Sequence, residues 1–202
     1  RIRKRCKGKP NEQVYDSKKA DLQELETLAE KGLIDLFYGD ESHVSSEGYV
    51  PYGWQFPNEK VAVYTEKAYK INIFGLINRA NECYWASTQQ NIDSPFIVNH
   101  LDDLSFKIKK NTFVVLDNSS VHQSMLLQQC LPIWQNRGLF IFFLPTYSPH
   151  LNMAETMWRK LKTEWLIPED YLEKDHLFYA VNRCMANIGS GLNINFSRFN
   201  LN

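Results

Sequence analysis

Two short apolar runs, each followed within three residues by an aspartate, constrain this chain more than any other feature. Residues 33–37 (LIDLF) lead through Tyr38 and Gly39 to Asp40, and residues 113–116 (FVVL) lead directly to Asp117. Short apolar runs bounded by turn-forming or acidic residues read as strands, and in open α/β sheets functional groups gather beyond the carboxyl ends of strands. A third run, residues 139–144 (LFIFFL), is apolar throughout and reads as a central strand covered on both faces.

Helix and hairpin signals fill the intervals. Residues 16–31 carry Leu22, Leu25, Leu28 and Ala29 on one face and stop at Gly32. After a Gly, Pro, Ser and Tyr-rich stretch at 42–68, residues 69–77 and 83–88 flank a polar turn and predict a hairpin. Residues 94–104 predict a helix with Ser94 as N-cap and Pro95 in its first turn. Residues 121–135 predict another, which Pro132 kinks or ends. Residues 153–166 place Met153, Met157, Trp158, Leu161 and Trp165 on one face, and a last helix is expected at 174–187. The order predicts a single mixed sheet, antiparallel at its start and parallel at its finish, with helices on both faces.

Composition narrows the class. With 44% hydrophobic and 23% charged residues, the chain is neither disordered, collagenous nor a coiled coil. It lacks the roughly 18 consecutive apolar residues of a membrane span and the apolar core of a signal peptide, so a soluble, cytoplasmic protein is expected. Cys6, Cys83, Cys130 and Cys184 form no CxxC pair, which argues against a disulfide scaffold or a cysteine zinc site and fits a reducing compartment. Charge is unevenly spread: Arg1, Arg3, Lys4, Arg5, Lys7, Lys9, Lys18 and Lys19 against Glu12 and Asp16 leave a basic arm on an acidic body. Such an arm suits contact with a polyanion, and equally a solvated tail. The start at Arg1 without an initiator Met predicts a fragment whose N-terminal part is missing.

The acids form the chemical signal. If the first and fourth strands are neighbours, about 5 Å apart, Asp40 and Asp117 converge on one point. Glu155, in the first turn of the helix after the last strand, is placed to close the site. Three carboxylates so close repel unless a divalent cation neutralises them, and an all-oxygen donor set suits Mg²⁺ or Mn²⁺ rather than zinc. Blander readings stand beside this one. Asp117 to Ser120 can form a helix-capping turn, Asn152 and Glu155 a capping box, Glu155 and Arg159 a surface ion pair, and Asp40 with Glu41 a pair of solvated loop acids.

The residues themselves carry a resemblance. Gly39-Asp40-Glu41-Ser42, then Val114-Val115-Leu116-Asp117-Asn118-Ser119 with His122, then Leu144-Pro145-Thr146-Tyr147-Ser148-Pro149-His150-Leu151-Asn152-Met153-Ala154-Glu155 with Trp158, together resemble the catalytic domain of bacterial insertion-sequence transposases related to the mariner group. These are DDE-superfamily endonucleases. The resemblance covers about residues 16–166, and its third block is the most specific. The family often has Ala where Ser119 stands and Pro-Ile where Met153 and Ala154 stand.

The resemblance implies a ribonuclease-H-like mixed five-stranded sheet flanked by helices. It makes Asp40, Asp117 and Glu155 the catalytic and metal-holding triad, with two Mg²⁺ or Mn²⁺ ions per site. The implied reaction is DNA cleavage at transposon ends and strand transfer into target DNA. Implied partners are double-stranded DNA, as terminal repeats and target, and a second copy of the chain in the DNA complex; no membrane is involved, and the location is cytoplasmic, on the bacterial nucleoid. A helix-turn-helix region is expected to precede the fragment. Three parts are expected: 1–32 as basic arm and linker helix, 33–167 as the catalytic domain, and 168–202 as a helical extension.

Accessory roles are open from sequence. His122 either holds an acid at the rim of the site or is structural; Arg159 and Lys162 share the Glu155 face and either bind phosphate or are solvated; Trp54 stacks on DNA or packs. Two other readings use the same fold: a catalytically silent DNA-binding or assembly module, and a nuclease acting on RNA or RNA–DNA hybrids.

Overall fold

The computed structural model describes residues 12–46, 56–59, 69–146 and 148–197. The basic residues Arg1 to Lys9, Cys6, Trp54 and Tyr147 lie outside the described residues. Among those described, the strands are β1 (Asp35–Ser45), β2 (Lys70–Ile77), β3 (Cys83–Thr88), β4 (Thr112–Leu116) and β5 (Leu139–Phe143). The helices are α1 (Glu12–Glu30), α2 (Ser94–Ser105), α3 (Met125–Asn136), α4 (Ala154–Lys160) and α5 (Lys174–Asn187). None is long and apolar enough to cross a membrane.

The strands form one sheet in the order β3-β2-β1-β4-β5, the ribonuclease-H-like arrangement. β1, β2 and β3 are antiparallel; β4 and β5 run parallel to β1. The expected antiparallel start and parallel finish are both present, and β1 and β4 are the neighbours that the acidic pair requires.

Each strand deals its side chains alternately to two faces. One face, with Leu36, Tyr38, Ile71, Ile73 and Val115, packs against α1, α4 and α5 through Leu22, Leu25, Met157, Trp158, Leu177 and Val181. The other, with Phe37, Phe74, Leu76, Val114 and Leu116, packs against α2 and α3 through Ile97, Leu101, Leu127 and Trp134.

Several details differ from the sequence-based expectation. β1 does not stop at Gly39 but continues to Ser45 paired with β2, so Asp40 and Glu41 lie within a strand rather than on a loop. β5 is an edge strand rather than a central one. Both its faces are covered all the same: on the α1 side the Lys18 ammonium sits 4.4 Å from the Phe142 ring and Phe140 stacks on Phe113 at 4.9 Å, and on the other Ile141 and Phe143 pack against the core under α2 and α3. α3 begins at Met125 because Ser124 caps it, accepting the Leu127 N–H, and Pro132 is accommodated inside it. The cap of α2 is Asp93, which accepts the Phe96 N–H, rather than Ser94. The helix expected over 153–166 is α-helical only to Lys160 and continues as a π-helical turn, Leu161–Trp165.

Candidate active site

Asp40 and Asp117 reach the same face by the same rule. The parallel pairing of β1 with β4 ends at Tyr38 and Val115, both on the face covered by α1, α4 and α5. Two residues on, alternation returns Asp40 and Asp117 to that face, beyond the carboxyl end of β4. Opposite Asp40 on β2 stands Gly75, where a Cβ would lie 2.8 Å from the Trp158 ring and 3.0 Å from the Met157 methyl. The missing side chain lets α4 rest directly on the sheet beside Asp40.

Asn152 governs the start of α4. Its Nδ2–H donates to the Gly39 carbonyl at 2.9 Å, and its Oδ1 accepts the Ala154 N–H at 3.1 Å. The side chain is buried and spans from the residue before Asp40 to the residue before Glu155. The sequence-based capping box is therefore absent: the Asn152 side chain bonds Ala154 and the sheet, and α4 has no side-chain cap.

The electrostatics record the gathering of acids. Burial, reinforced by the charges of Glu155, Glu41 and Asp117, pushes the Asp40 carboxyl up to about 7. Lys162 is half-buried on the π-helical turn, where burial lowers its ammonium against the opposing charges of Glu155 and Asp40. Arg159 is exposed, as is Glu155.

Asp117 is held on one side. Its Oδ1 accepts the Ser119 N–H at 3.0 Å and lies 2.7 Å from His122 Nδ1, which also approaches the Asp117 carbonyl at 3.2 Å. Burial tends to raise the Asp117 carboxyl, but the His122 contact, the imidazolium charge and the Ser119 bonds outweigh it and leave it below the usual range. His122 is fully buried. Its Nε2 stands 3.0 Å from Glu41 Oε1, off the N–H axis, so this contact is ionic rather than a formed hydrogen bond. Burial disfavours the charged ring, yet Asp117 and Glu41 together push it up to about 10. Glu41 is thus no solvated loop acid; alternation along β1 offered a signal that its face differs from that of Asp40.

A cavity of about 320 Å³ opens beside Asp117, lined by Asn118, Ser119, Thr146 and Ser148 with Leu144, Pro145 and Pro149. The donor chemistry of the acids is that of a hard divalent cation. As the side chains lie, no three His, Cys, Asp or Glu groups among the described residues stand close enough to hold a metal ion. Asp40, Asp117 and Glu155 share one electrostatic neighbourhood without forming a closed cage.

No curated protein matches the chain in sequence. Among solved structures, the fold is similar to that of the Mos1 transposase paired-end complex with left transposon end, at 15% identity, 94% of this chain, 66% of that chain and a TM-score of 0.53. It is also similar to a chain of the simian T-cell lymphotropic virus intasome in complex with PP2A regulatory subunit B56 gamma, at 14% identity, 79% of this chain, 49% of that chain and a TM-score of 0.51. A Mos1 mariner paired-end complex with Mn aligns over 96% of this chain and 68% of that one at 15% identity, with a TM-score of 0.48. The chain thus spans just under two thirds of the first Mos1 chain, 66% of its length. At these identities the likeness shows the fold alone, one shared with a chain of the Mos1 transposase complex and a chain of the intasome. The family model described as DDE superfamily endonuclease matches residues 35–177, well over half of the chain, and on that match this protein belongs to the DDE superfamily endonucleases.

Proposed function

We propose that this chain is the catalytic part of a transposase related to the mariner group and to bacterial insertion sequences, cutting DNA at transposon ends and joining the freed ends to target DNA. The observation that carries this reading is that Asp40 and Asp117 each follow by two residues the last parallel pair of β1 and β4, Tyr38 with Val115, while Asn152 ties the start of α4, and so Glu155, to the residue before Asp40. Membership of the endonuclease family supplies the reaction class, phosphoryl transfer. The Pro145 to Glu155 block supplies the transposase branch. Residues 1–32 would lead from a DNA-binding region to the catalytic domain at 33–167, with 168–202 as its helical extension. Two copies would act together on double-stranded DNA, in the cytoplasm at the nucleoid.

Asp40, Asp117 and Glu155 would hold Mg²⁺ or Mn²⁺, which when bound activates an attacking water or DNA 3′-hydroxyl and neutralises charge on the leaving oxygen. The protein's own part is placement. Asp117, with Oδ1 occupied by Ser119 and His122, keeps Oδ2 for the site. Lys162 offers a cation at the edge of the acidic face, where a DNA phosphate would otherwise meet only negative charge. The cavity beside Asp117, with hydroxyl and amide groups on an apolar floor, suits one nucleotide of the strand being cut.

Thermal melting in a Mn²⁺ titration, wild type against Asp117→Asn, tests the site without depending on DNA affinity. Stabilisation in wild type that is lost in the variant supports the metal-dependent reading, since an ion that binds only the folded state raises its stability by mass action. Equal responses in both proteins would remove Asp117 from the site and favour a silent assembly module.

A further inference from the structure

Asp40 and Glu41 are adjacent, yet they leave β1 on opposite faces. Asp40 faces α4 across from Gly75, whereas Glu41 pairs with Phe74, a member of the core under α2 and α3. On that side the Glu41 carboxylate meets His122, and the ring lies 6.4 Å from Phe74 with no solvent exposure. The second ring nitrogen meets Asp117 on the loop after β4. With one acid at each ring nitrogen and no solvent exposure, the ring has Glu41 and Asp117 as its ionic partners. His122 therefore ties an acid from β1 to an acid from the β4 loop, on the side of the sheet opposite Asp40.

The tie acts on one oxygen. The Ser119 N–H and the His122 ring nitrogen both meet the Asp117 carboxylate at Oδ1. About half of that side chain is exposed, so packing alone does not fix its rotation. We propose that Glu41 is a positioning residue that acts through His122 to hold Asp117 Oδ1 inward and present Oδ2 to the incoming cation. The inference rests on the reading of Asp117 as a metal ligand. Glu41 itself points away from the site and coordinates nothing.

Groups that orient a metal ligand typically cost 10- to 100-fold in metal affinity when removed. The test is calorimetric titration of the full 202-residue chain with Mn²⁺ in wild type, Glu41→Ala, His122→Phe and the double variant. The expected result is that Glu41→Ala weakens Mn²⁺ binding by about 10-fold or more. In the His122→Phe background the same change should have no further effect, because its path to Asp117 is already cut. Losses that multiply in the double variant would make Glu41 a ligand in its own right and overturn the proposal, as would wild-type affinity in Glu41→Ala.

A metal-free crystal structure of Glu41→Ala separates this inference from the functional reading. Loss of the contact between His122 and Asp117 Oδ1 supports the positioning role even if wild type fails to bind Mn²⁺, an outcome that would defeat the metal reading alone. An unchanged Asp117 rotamer overturns the positioning role whatever the metal does. Should Glu41→Ala fail to fold, Glu41→Gln answers in its place, since it keeps the size and removes the charge; wild-type Mn²⁺ affinity there overturns the proposal.

Discussion

Asn152 and Gly39, 113 residues apart, are joined by a hydrogen bond of 2.9 Å from the Asn152 side-chain amide to the Gly39 carbonyl. The same side chain accepts the Ala154 N–H, so one buried amide sets where α4 begins relative to β1. A turn built only from local bonds would leave the Asp40 to Glu155 spacing to the flexibility of the preceding loop.

Asn152→Asp tests that spacing. It keeps the acceptor for Ala154 but sets an oxygen against the Gly39 carbonyl, and leaving a buried polar group unpaired costs about 1–3 kcal/mol. Urea unfolding should show a loss in this range. Calorimetric Mn²⁺ titration should show weakened binding, and undiminished affinity would mean that α4 is seated by its apolar contacts alone.

Gly75→Ala should push α4 off the sheet. The added methyl meets Trp158 and Met157, both buried, and overpacking a well-filled core costs about 1–3 kcal/mol. Because the displaced helix carries Glu155, Mn²⁺ affinity should fall along with the melting temperature. A variant that loses stability while binding Mn²⁺ as well as wild type would show that Glu155 reaches the site independently of how α4 is seated.

The raised Asp40 carboxyl predicts a particular pH dependence. Its ordinary value is 3.8 and its folded value about 7, so between about pH 4 and 7 the folded state keeps a proton that the unfolded state has released. This group therefore makes the metal-free protein less stable as pH rises through that window, and its effect levels off above about 7. A cation must displace the same proton, so the rise in melting temperature caused by Mn²⁺ should be small at pH 6 and larger at pH 8, with proton release detectable by calorimetry in buffers of differing ionisation enthalpy. A Mn²⁺ effect independent of pH would exclude Asp40 from the site.

A separate polar cluster secures α1. Tyr38 and Arg79 both donate to Glu26 on the face under that helix, where the Tyr38 ring is fully buried. Arg79→Met should destabilise the fold by up to about 3 kcal/mol by leaving the Glu26 charge largely unpaired, somewhat less than for a fully buried pair because Arg79 is partly exposed. Mn²⁺ binding should persist in this variant under conditions where it is folded. Concurrent loss of metal affinity would mean that α1 shapes the site as well as the fold.

Much of the arrangement was legible along the chain. Runs of strand and helix periodicity gave the element order, and the three motif blocks pointed to the endonuclease family that the family model matches. Lys162, expected on the Glu155 face from helical spacing, is half-buried on a π-helical turn and feels the charges of Glu155 and Asp40. Other features lay beyond that reading. The run LFIFFL looks central because its faces are covered, whereas edge and centre differ only in whether a further strand bonds alongside, which the run itself does not encode. Glu41 looked like a loop acid because nothing local showed β1 continuing past Gly39; that continuation depends on pairing with β2 some thirty residues away.

The amino-acid sequence by itself determined which acids the site can draw on; that Asp40 and Glu41 part company follows from the two-residue period of a strand once pairing with β2 extends β1 past Gly39. Tertiary structure alone decided what each one meets: Gly75 on β2 and the charge of Glu155 for the first, His122 and through it Asp117 for the second. Side-chain direction follows from local backbone geometry and can be read residue by residue. The partner on the other side follows from strand register and helix seating, which the whole core sets at once.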